Sequence, residues 1–332
     1  MNRYRAMTTL IYPIASDNKR SGLQLLSALI SHQSVPSKTW NRTSYRLKFL
    51  LRTLWSPRTT LTLLNYLAQH PQRDEILQAM PTLPCKLHRV YQAVNINRET
   101  ALNNIIAHYD HLSSHVPPAI NHALLSAKPL NIATLEGKEG QRFALQLNAV
   151  SHYDKEGEAS LMFTNESGES VATVTFSLIN YHGQPTLFIG AIQGPKAHVE
   201  HAEIQKATKA CHGLFPKRLV MEAVMLVAEL TGMTQIVAVS NRTHVYEHPR
   251  YKKRKGMVFA DYDGFWETLQ GTLREDGYFH LPRQIPHRPL EEIASKRRSE
   301  YRRRYQLLDE LEAQIRQVFS QGSVEQRRSS AA

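Results

Sequence analysis

The chain is poor in cysteine and has no long apolar run. Its 332 residues contain two cysteines, Cys85 and Cys211. Two thiols cannot build a disulfide framework, so a reducing compartment is the simpler expectation. The N-terminus lacks an apolar core of signal-peptide length, and the most apolar stretch, residues 219–230, is interrupted by Glu222 and Glu229. We therefore expect a soluble, cytoplasmic protein.

Basic residues outnumber acidic ones at both ends of the chain. Residues 1–90 carry 13 basic and 3 acidic groups, and residues 250–332 carry 17 and 12. Between them, residues 91–249 are close to neutral, with 11 basic and 14 acidic groups. This distribution favours an anionic partner for the ends, which could be a phosphate-bearing ligand, an acidic lipid or a nucleic acid.

The first 128 residues have the pattern of several short helices. Pro57, Pro71 and Pro117 stand where helices would begin, and a first turn does not need the N–H that proline lacks. Asn97 is a suitable N-cap for a further helix over 97–112. We predict a basic helical region over residues 1–128.

The chain then changes to the alternation that is typical of strands. Four short runs rich in Val, Thr, Phe and Ile, separated by turns, predict an antiparallel meander over 141–193. An amphipathic helical stretch, 198–231, is broken near His212-Gly213 and leads to a buried strand, 235–240. This order predicts an α+β fold with a mixed, mainly antiparallel sheet and flanking helices.

The C-terminal part predicts one more strand and a long helix. The strand-like run is 277–282, and the helix is predicted to begin at Pro289 and to stop at Gly322. The predicted organisation is therefore a helical region over 1–128, an α+β domain over 129–288, a long basic helix over 289–322 packed on it, and a frayed tail over 323–332.

Two segments resemble an anion site. Gln193 and Gly194 end a strand, and Lys217 and Arg218 stand in the first turn of a helix, where cations oppose the helix dipole. A bound phosphate would remove that conflict, because helix N-terminal amides and basic side chains together bind anions. The alternative is that both side chains extend into solvent.

Polar residues follow the buried strand 235–240. Asn241, His244 and Tyr246 would stand at its carboxyl end, which is where such sheets open toward ligands. His244 and Tyr246 are the candidate acid–base residues, and Asn241 is a candidate contact for a cofactor. The alternative for His244 is a hydrogen bond within the loop.

Other sites have less support. The spacing of His198, His201, Cys211 and His212 matches no zinc motif, so no metal site is predicted. Signature loops of nucleoside triphosphatases, dinucleotide-binding proteins and serine hydrolases are absent from the sequence. Asp261 and Asp263 could be a carboxylate pair in an aromatic cleft, but we favour Asp263 as a helix cap, with Phe265 and Trp266 in the core.

Three further stretches, 40–55, 251–256 and 296–311, are rich in basic residues and also contain aromatic ones. The first is an amphipathic helix that could lie on an anionic membrane surface or dock onto the rest of its domain, and we favour docking. The last could bind nucleic acid or form a packing stripe.

Several segments together resemble the VirK/YbjX family of bacterial proteins, a domain family of unknown function, over residues about 40–330. The matching segments are LFIGAIQGP, ATKACHGLFPKRLVMEAV, IVAVSNRTHVY, ADYDGFWETL, GYFHLP and KRRSEYRRRYQLLDEL. The resemblance implies a bacterial protein linked to envelope physiology or virulence, and it transfers no catalytic residue.

The strand–helix–strand order is also similar to the N-acetyltransferase type of acyltransferase fold. That resemblance implies an acyl-CoA whose pyrophosphate lies at a helix N-terminus after the fourth strand. Here the usual glycine-rich loop is reduced to residues 193–196 and Gly213.

The leading hypothesis is an acyltransferase-like protein, peripheral to the inner membrane or free in the cytoplasm. Lys217 and Arg218 would hold an acyl-CoA donor, with Gln193 and Gly194 beside it. The competing hypothesis is a non-enzymatic factor whose basic surface binds nucleic acid, anionic lipid or a protein.

Overall fold

A computed structural model describes residues 21–149, 151–195, 201–251 and 261–329. The predicted features at residues 1–20, Lys196, His198, 252–256 and 330–332 lie outside these ranges. The contacts group the chain into two compact units, residues 1–85 and 86–332. The sequence instead predicted a change at residue 128.

The described part of the first unit is helical. Its α-helices are α1 (Gly22–Ile30), α2 (Thr43–Trp55), α3 (Pro57–Gln69) and α4 (Arg73–Ala79). Ser21 and Gln24 form a capping box at the start of α1. Pro57 occupies the first turn of α3 as predicted, whereas α4 begins at Arg73, two residues after Pro71.

Trp40 is the centre of the small core in this unit. It is fully buried, its ring packs edge-on against Phe49 at 5.2 Å, and its indole N–H donates to the carbonyl of Pro81 at 2.8 Å. Because Trp40 and Asn41 form a 3₁₀ turn, α2 begins at Thr43 and not at Trp40 as the sequence predicted.

The second unit contains an eight-stranded sheet in the order β1-β2-β3-β4-β5-β6-β8-β7. Its strands are β1 (Leu130–Glu136), β2 (Arg142–Asn148), β3 (Ala159–Thr164), β4 (Ser170–Tyr181), β5 (Gln184–Gln193), β6 (Gln235–Val239), β7 (Thr272–Leu273) and β8 (Tyr278–Leu281). All neighbouring pairs are antiparallel except β5 and β6, which are parallel. The α+β class and the mixed, mainly antiparallel sheet are confirmed.

The α-helices in the described part of the second unit are α5 (Arg98–His115), α6 (Pro118–Leu124), α7 (His201–Ala210), α8 (Pro216–Leu230), α9 (Tyr262–Thr268) and α10 (Ser295–Ser329). Asn97 caps α5 by accepting from the amide of Thr100 at 2.9 Å, as predicted. The core lies between the sheet and helices α5, α8 and α10. Helices α5 and α6, which the sequence grouped with the first 85 residues, pack on this sheet.

The turn between α7 and α8 lies where the sequence predicted a break. His212 and Gly213 both have positive φ angles, 53° and 75°, which reverse the chain. Arg304 of α10 donates two hydrogen bonds, of 3.0 and 2.9 Å, to the carbonyl of His212. The long C-terminal helix therefore holds this turn in place.

The ends of the C-terminal helix differ from the prediction. Residues Leu290–Glu292 form a separate 3₁₀ turn, and α10 begins at Ser295 rather than at Pro289. The predicted stop at Gly322 is also wrong, because the helix continues to Ser329. A glycine is tolerated inside a helix at a cost of ~1 kcal/mol, which the other residues of a long helix offset.

Strands β5 and β6 separate toward their carboxyl ends. Their pairing ends at Ile189 and Ala238, although β5 continues to Gln193. Next to this separation, the segment 156–158 crosses β5 very closely, and a Cβ atom on Gly190 would lie 1.8 Å from the carbonyl oxygen of Glu156. Glycine at position 190 therefore determines how closely Glu156 approaches the strand.

We expect Gly190→Ala to lower the free energy of unfolding by about 2 kcal/mol or more, because two backbone segments would have to move apart. Gly194→Ala is the matched control, since the space around that glycine is open and its φ is ordinary. It should change stability by less than about 0.5 kcal/mol. Urea denaturation measures both, and equal stabilities would contradict the close approach.

Candidate functional site

Glu158 is the centre of a closed, fully buried ion pair. Lys86 Nζ lies 2.5 Å from Glu158 Oε1, and both side chains are completely buried. The hydroxyls of Tyr91 and Tyr109 donate to the two carboxylate oxygens at 2.5 and 2.7 Å. Burial lowers the pKa of Lys86 and raises that of Tyr91. With every carboxylate oxygen bound, this cluster is structural rather than open to a ligand.

Glu156, two residues earlier, has a different environment. It is 2% exposed, and both of its carboxylate oxygens accept from the Gln193 side-chain amide, at 3.3 and 3.2 Å. His244 Nε2 lies 3.6 Å from Glu156 Oε1, which is too far for a hydrogen bond. Glu156 and His244 therefore face each other as a buried pair that no direct hydrogen bond closes.

The tautomer of His244 follows from its second nitrogen. Nδ1 accepts from the backbone N–H of Tyr246 at 3.4 Å, so in the neutral ring the proton is on Nε2. That N–H is buried and makes no hydrogen bond to any residue in the described ranges. A buried donor without an acceptor costs about 1–3 kcal/mol, which a ligand or water could relieve.

Aromatic rings enclose this pair. Tyr262 stacks on His244 at 5.0 Å and 27°, and Tyr246 packs edge-on at 5.3 Å. The Tyr262 hydroxyl lies near the backbone of Ile192, on the part of β5 that β6 no longer pairs. Burial, and then the charge of Glu156, raise the pKa of Tyr262 more than this polar neighbour lowers it, so this hydroxyl stays protonated.

Asn241 stabilises the start of α9, where Tyr262 lies. Its side-chain oxygen accepts from the amide of Tyr262 at 2.8 Å, and its Nδ2 donates to Asp261 at 2.9 Å. Asp261 caps α9 by accepting from Gly264, and the Asn241 and Gly264 hydrogen bonds lower the pKa of Asp261. The predicted cap, Asp263, accepts instead from the backbone N–H of Asn241 at 2.7 Å. The helix cap is thus Asp261, and Trp266 fills the core as predicted.

Lys217 lies beside Gly194. Its Cε is 4.0 Å from the position that a Cβ on Gly194 would take, and its ammonium is 5.9 Å from the centre of the Phe265 ring. Burial lowers the pKa of Lys217, and none of the described carboxylates pairs with it. The uncapped start of α8 therefore holds a half-buried cation next to the end of β5.

Arg218 points elsewhere. Its Nε is 3.7 Å from Glu222 on the same helix, and its Nη2 donates to the carbonyl of Pro286 at 3.5 Å. Glu222 also binds His287, whose pKa it raises. The structure thus places Gln193 and Tyr246 around the pair of Glu156 and His244, and Lys217 beside Gly194, the residue after Gln193. Arg218 is directed elsewhere.

Glu156 and Tyr262 were not singled out from the sequence. An acidic residue beside glycine, as in Glu156-Gly157-Glu158, is usually a solvated turn. The available signal was its place three residues before β3, a run of apolar and small residues. The sequence placed Tyr262 among the aromatic neighbours of a predicted helix cap. Its stacking on His244 is what connects it with the site.

A separate cleft of about 1030 Å³ lies between the ends of β2, α7 and α10. Its basic lining residues are Lys138, Arg142, Lys206, Lys209, Lys296 and Arg303, and its acidic ones are Glu139, Glu166, Glu203 and Glu300. The charges are mixed, and the cleft does not include Glu156 or His244. It therefore has no selective signature comparable to the buried pair.

The Lys86–Glu158 pair gives a stability prediction. Lys86→Met should lower the free energy of unfolding by about 3–5 kcal/mol, because it leaves a buried carboxylate uncompensated. Lys86→Met with Glu158→Gln should recover part of that loss. Lys206→Met removes a lysine that is 71% exposed in its pair with Glu203, and should change stability by less than about 1 kcal/mol. Equal effects of the two lysine substitutions would contradict the structural role.

Comparison with known proteins gives a family and no activity. Residues 38–317 match the model of a family described as "Protein of unknown function (DUF535)". An uncharacterized protein YbjX of Escherichia coli K12 is 44% identical over 299 residues, covering 90% of this chain and 91% of that protein. An uncharacterized protein of Haemophilus influenzae is 32% identical over 181 residues, or 54% and 58% of the two chains.

Within the described residues, no helix has the length and apolar character that a membrane span requires. The extent of the family match, which includes β1–β8 and most of α10, places all the residues of the candidate site inside the shared region. By this match the chain belongs to the DUF535 family, the family of YbjX.

Proposed function

We propose that this protein is an acyltransferase that takes its acyl group from an acyl-CoA donor. The site is the group of residues around Glu156 and His244, at the point where β5 and β6 separate. Lys217 and Gly194 form the donor side, and Tyr246 lines the acceptor side. On the basis of the family resemblance, we also propose that the protein acts in envelope physiology or virulence. It would do so from the cytoplasm, at the periphery of the inner membrane.

One observation carries the proposal. The Nε2–H of His244 is buried without a hydrogen bond to any residue that the structure describes, and it lies 3.6 Å from the carboxylate of Glu156, which is itself 2% exposed. Proteins rarely leave a buried donor unsatisfied, and such groups are concentrated where a substrate completes the bonding. A histidine and a carboxylate in this arrangement are suited to acid–base work.

The chemistry requires one proton transfer in each direction. The acceptor nucleophile attacks the thioester carbonyl, a new carbon–oxygen or carbon–nitrogen bond forms, and the carbon–sulfur bond breaks. The Glu156 carboxylate takes the proton that the nucleophile loses and gives it to the sulfur of the departing CoA, while the Nε2–H of His244 is the hydrogen-bond donor of the pair. Gln193 holds the carboxylate by its two contacts, so Glu156 stays directed at the imidazole.

Lys217 is suited to an anion. Its ammonium is half-buried without a carboxylate partner in the described part of the chain, beside backbone amides at the start of a 15-residue helix. A CoA pyrophosphate there would stabilise the charge that burial disfavours. Arg218 has no part in the proposed site, since its contacts are to Glu222 and Pro286.

The two adjacent cations give a matched pair of variants. Lys217→Gln should weaken CoA binding about tenfold or more, because it removes a charge-assisted hydrogen bond to phosphate. Arg218→Gln, one residue further along the same turn, should leave CoA binding unchanged. Isothermal titration calorimetry measures both. Equal affinities of the two variants, or no binding of CoA to the parent protein, would contradict the donor assignment.

Two histidines give a matched test of the chemistry. His244 and His248 each accept a backbone N–H two residues ahead, from Tyr246 and Arg250, but only His244 faces Glu156. His244→Gln should lower the rate of thiol release from acetyl-CoA about 100-fold or more, with CoA affinity retained. His248→Gln should leave the rate unchanged. Equal rates for both variants and the parent would exclude His244 from catalysis.

The alternative is a non-enzymatic factor that binds an anionic partner. The mixed-charge cleft with Lys209 and Arg303 is the observation that favours it. CoA binding that survives Lys217→Gln but is lost in Lys209→Gln with Arg303→Gln would move the ligand to this cleft. That result would support the binding factor over the acyltransferase.

A further inference from the structure

Helix α2 (Thr43–Trp55) carries an exposed apolar face. Leu47, Leu51, Leu54 and Trp55 are 54%, 57%, 65% and 87% exposed. Their spacing of four, three and one residues places them within a narrow arc of the helix surface. Exposed apolar side chains are ordinary when scattered, but four on one arc of one helix form a patch that indicates an interaction surface.

This face is not the one that α2 uses for its own core. Phe49 and Thr53 are buried on another side of the helix, Phe49 packs on Trp40, and the Thr53 hydroxyl donates to the carbonyl of Phe49. The sequence predicted that this helix docks onto its own domain. It docks through Phe49 and Thr53, and it also has a second apolar face that this docking does not use.

Basic residues border the exposed face. Lys48 and Arg52 follow Leu47 and Leu51 directly, are exposed, and form no ion pair with any of the described carboxylates. Residues 18–73 contain nine lysines and arginines and no aspartate or glutamate. The apolar arc therefore lies in a long stretch of sequence whose charges all have one sign.

We propose that the exposed face of α2 binds the surface of an anionic lipid bilayer. Leucines enter the boundary between headgroups and acyl chains, the tryptophan lies at headgroup level, and the basic residues contact lipid phosphates. A helix of 13 residues is ~20 Å long, too short to cross a bilayer, so α2 lies parallel to the membrane. This surface is independent of the proposed acyl-CoA site.

The choice of a bilayer over a protein partner rests on the charge pattern. A protein interface of this size generally depletes lysine around its apolar centre, whereas an anionic membrane attracts each exposed lysine or arginine over its whole surface. The absence of acidic residues from 18–73 removes the repulsion that headgroup phosphates would otherwise exert.

The tryptophans provide a direct readout in the full-length protein. Trp40 and Trp266 are fully buried, so a change in emission on adding lipid reports Trp55. Vesicles of phosphatidylcholine with phosphatidylglycerol should shift the emission to shorter wavelength and sediment the protein. Vesicles of phosphatidylcholine alone should do neither, and high salt should weaken the binding.

Matched variants locate the surface. Leu51→Gln with Trp55→Gln should lower partitioning into the anionic vesicles about tenfold or more, and so should Lys48→Gln with Arg52→Gln. Leu273→Gln is the control, because Leu273 is also half exposed but lies on β7. Circular dichroism checks that each variant keeps its helices.

Three results would overturn the proposal. One is that the parent protein does not bind anionic vesicles at low salt. Another is that Leu51→Gln with Trp55→Gln binds as well as the parent. The third is that the protein binds another partner through this face and not vesicles. Leu51→Gln with Trp55→Gln would then abolish a dimer in sedimentation, or Lys48→Gln with Arg52→Gln would abolish binding to duplex DNA. That result would assign the face to a second copy of the chain or to nucleic acid.

Discussion

The buried ion pair of Lys86 and Glu158 fixes the segment on which the candidate site is built. Two charges with no exposure are tolerated only if each is paired and hydrogen-bonded. Glu158 meets that condition through Lys86, Tyr91 and Tyr109, and Lys86 also donates to the carbonyl of Gly157 at 3.4 Å. The neighbouring Glu156 is thereby held close against β5.

The separation of β5 and β6 makes use of that position. Where the strands stop pairing, the Tyr262 hydroxyl lies near the backbone of Ile192, and the side-chain amide of Gln193 donates to Glu156. Asn241 holds the loop of Tyr262 from the end of β6. Polar groups near the ends of both strands therefore converge on one carboxylate and one imidazole.

Much of the fold could be predicted from the sequence because its signals are local. The Asn97 cap, the break at His212-Gly213 and the buried strand β6 each depend on a few neighbouring residues. Strands β1 and β7 were missed. The first has a bulge that disturbs its alternation, and the second is two residues long. The helix stop at Gly322 failed because a glycine signal is weak within a long helix.

The site was predictable only in part. Gln193, His244 and Tyr246 were identified because they end or follow strands, at the edge where such sheets open toward ligands. Glu156 was not, because its burial depends on Lys86, about seventy residues away, and on the close approach at Gly190. Lys217 and Arg218 looked equivalent in sequence. Neighbouring residues point about 100° apart around a helix, however, so the two side chains lie in different surroundings.

The central claim is that Lys217 and the Glu156–His244 pair belong to one acyl-CoA site. A crystal structure of the parent protein with CoA tests this most directly. The account predicts the pyrophosphate within hydrogen-bond distance of Lys217 Nζ and the thiol end beside Glu156 and His244. Two results would contradict it. One is CoA bound in the cleft of Lys209 and Arg303, and the other is no CoA beside Gly194 in crystals grown with saturating CoA.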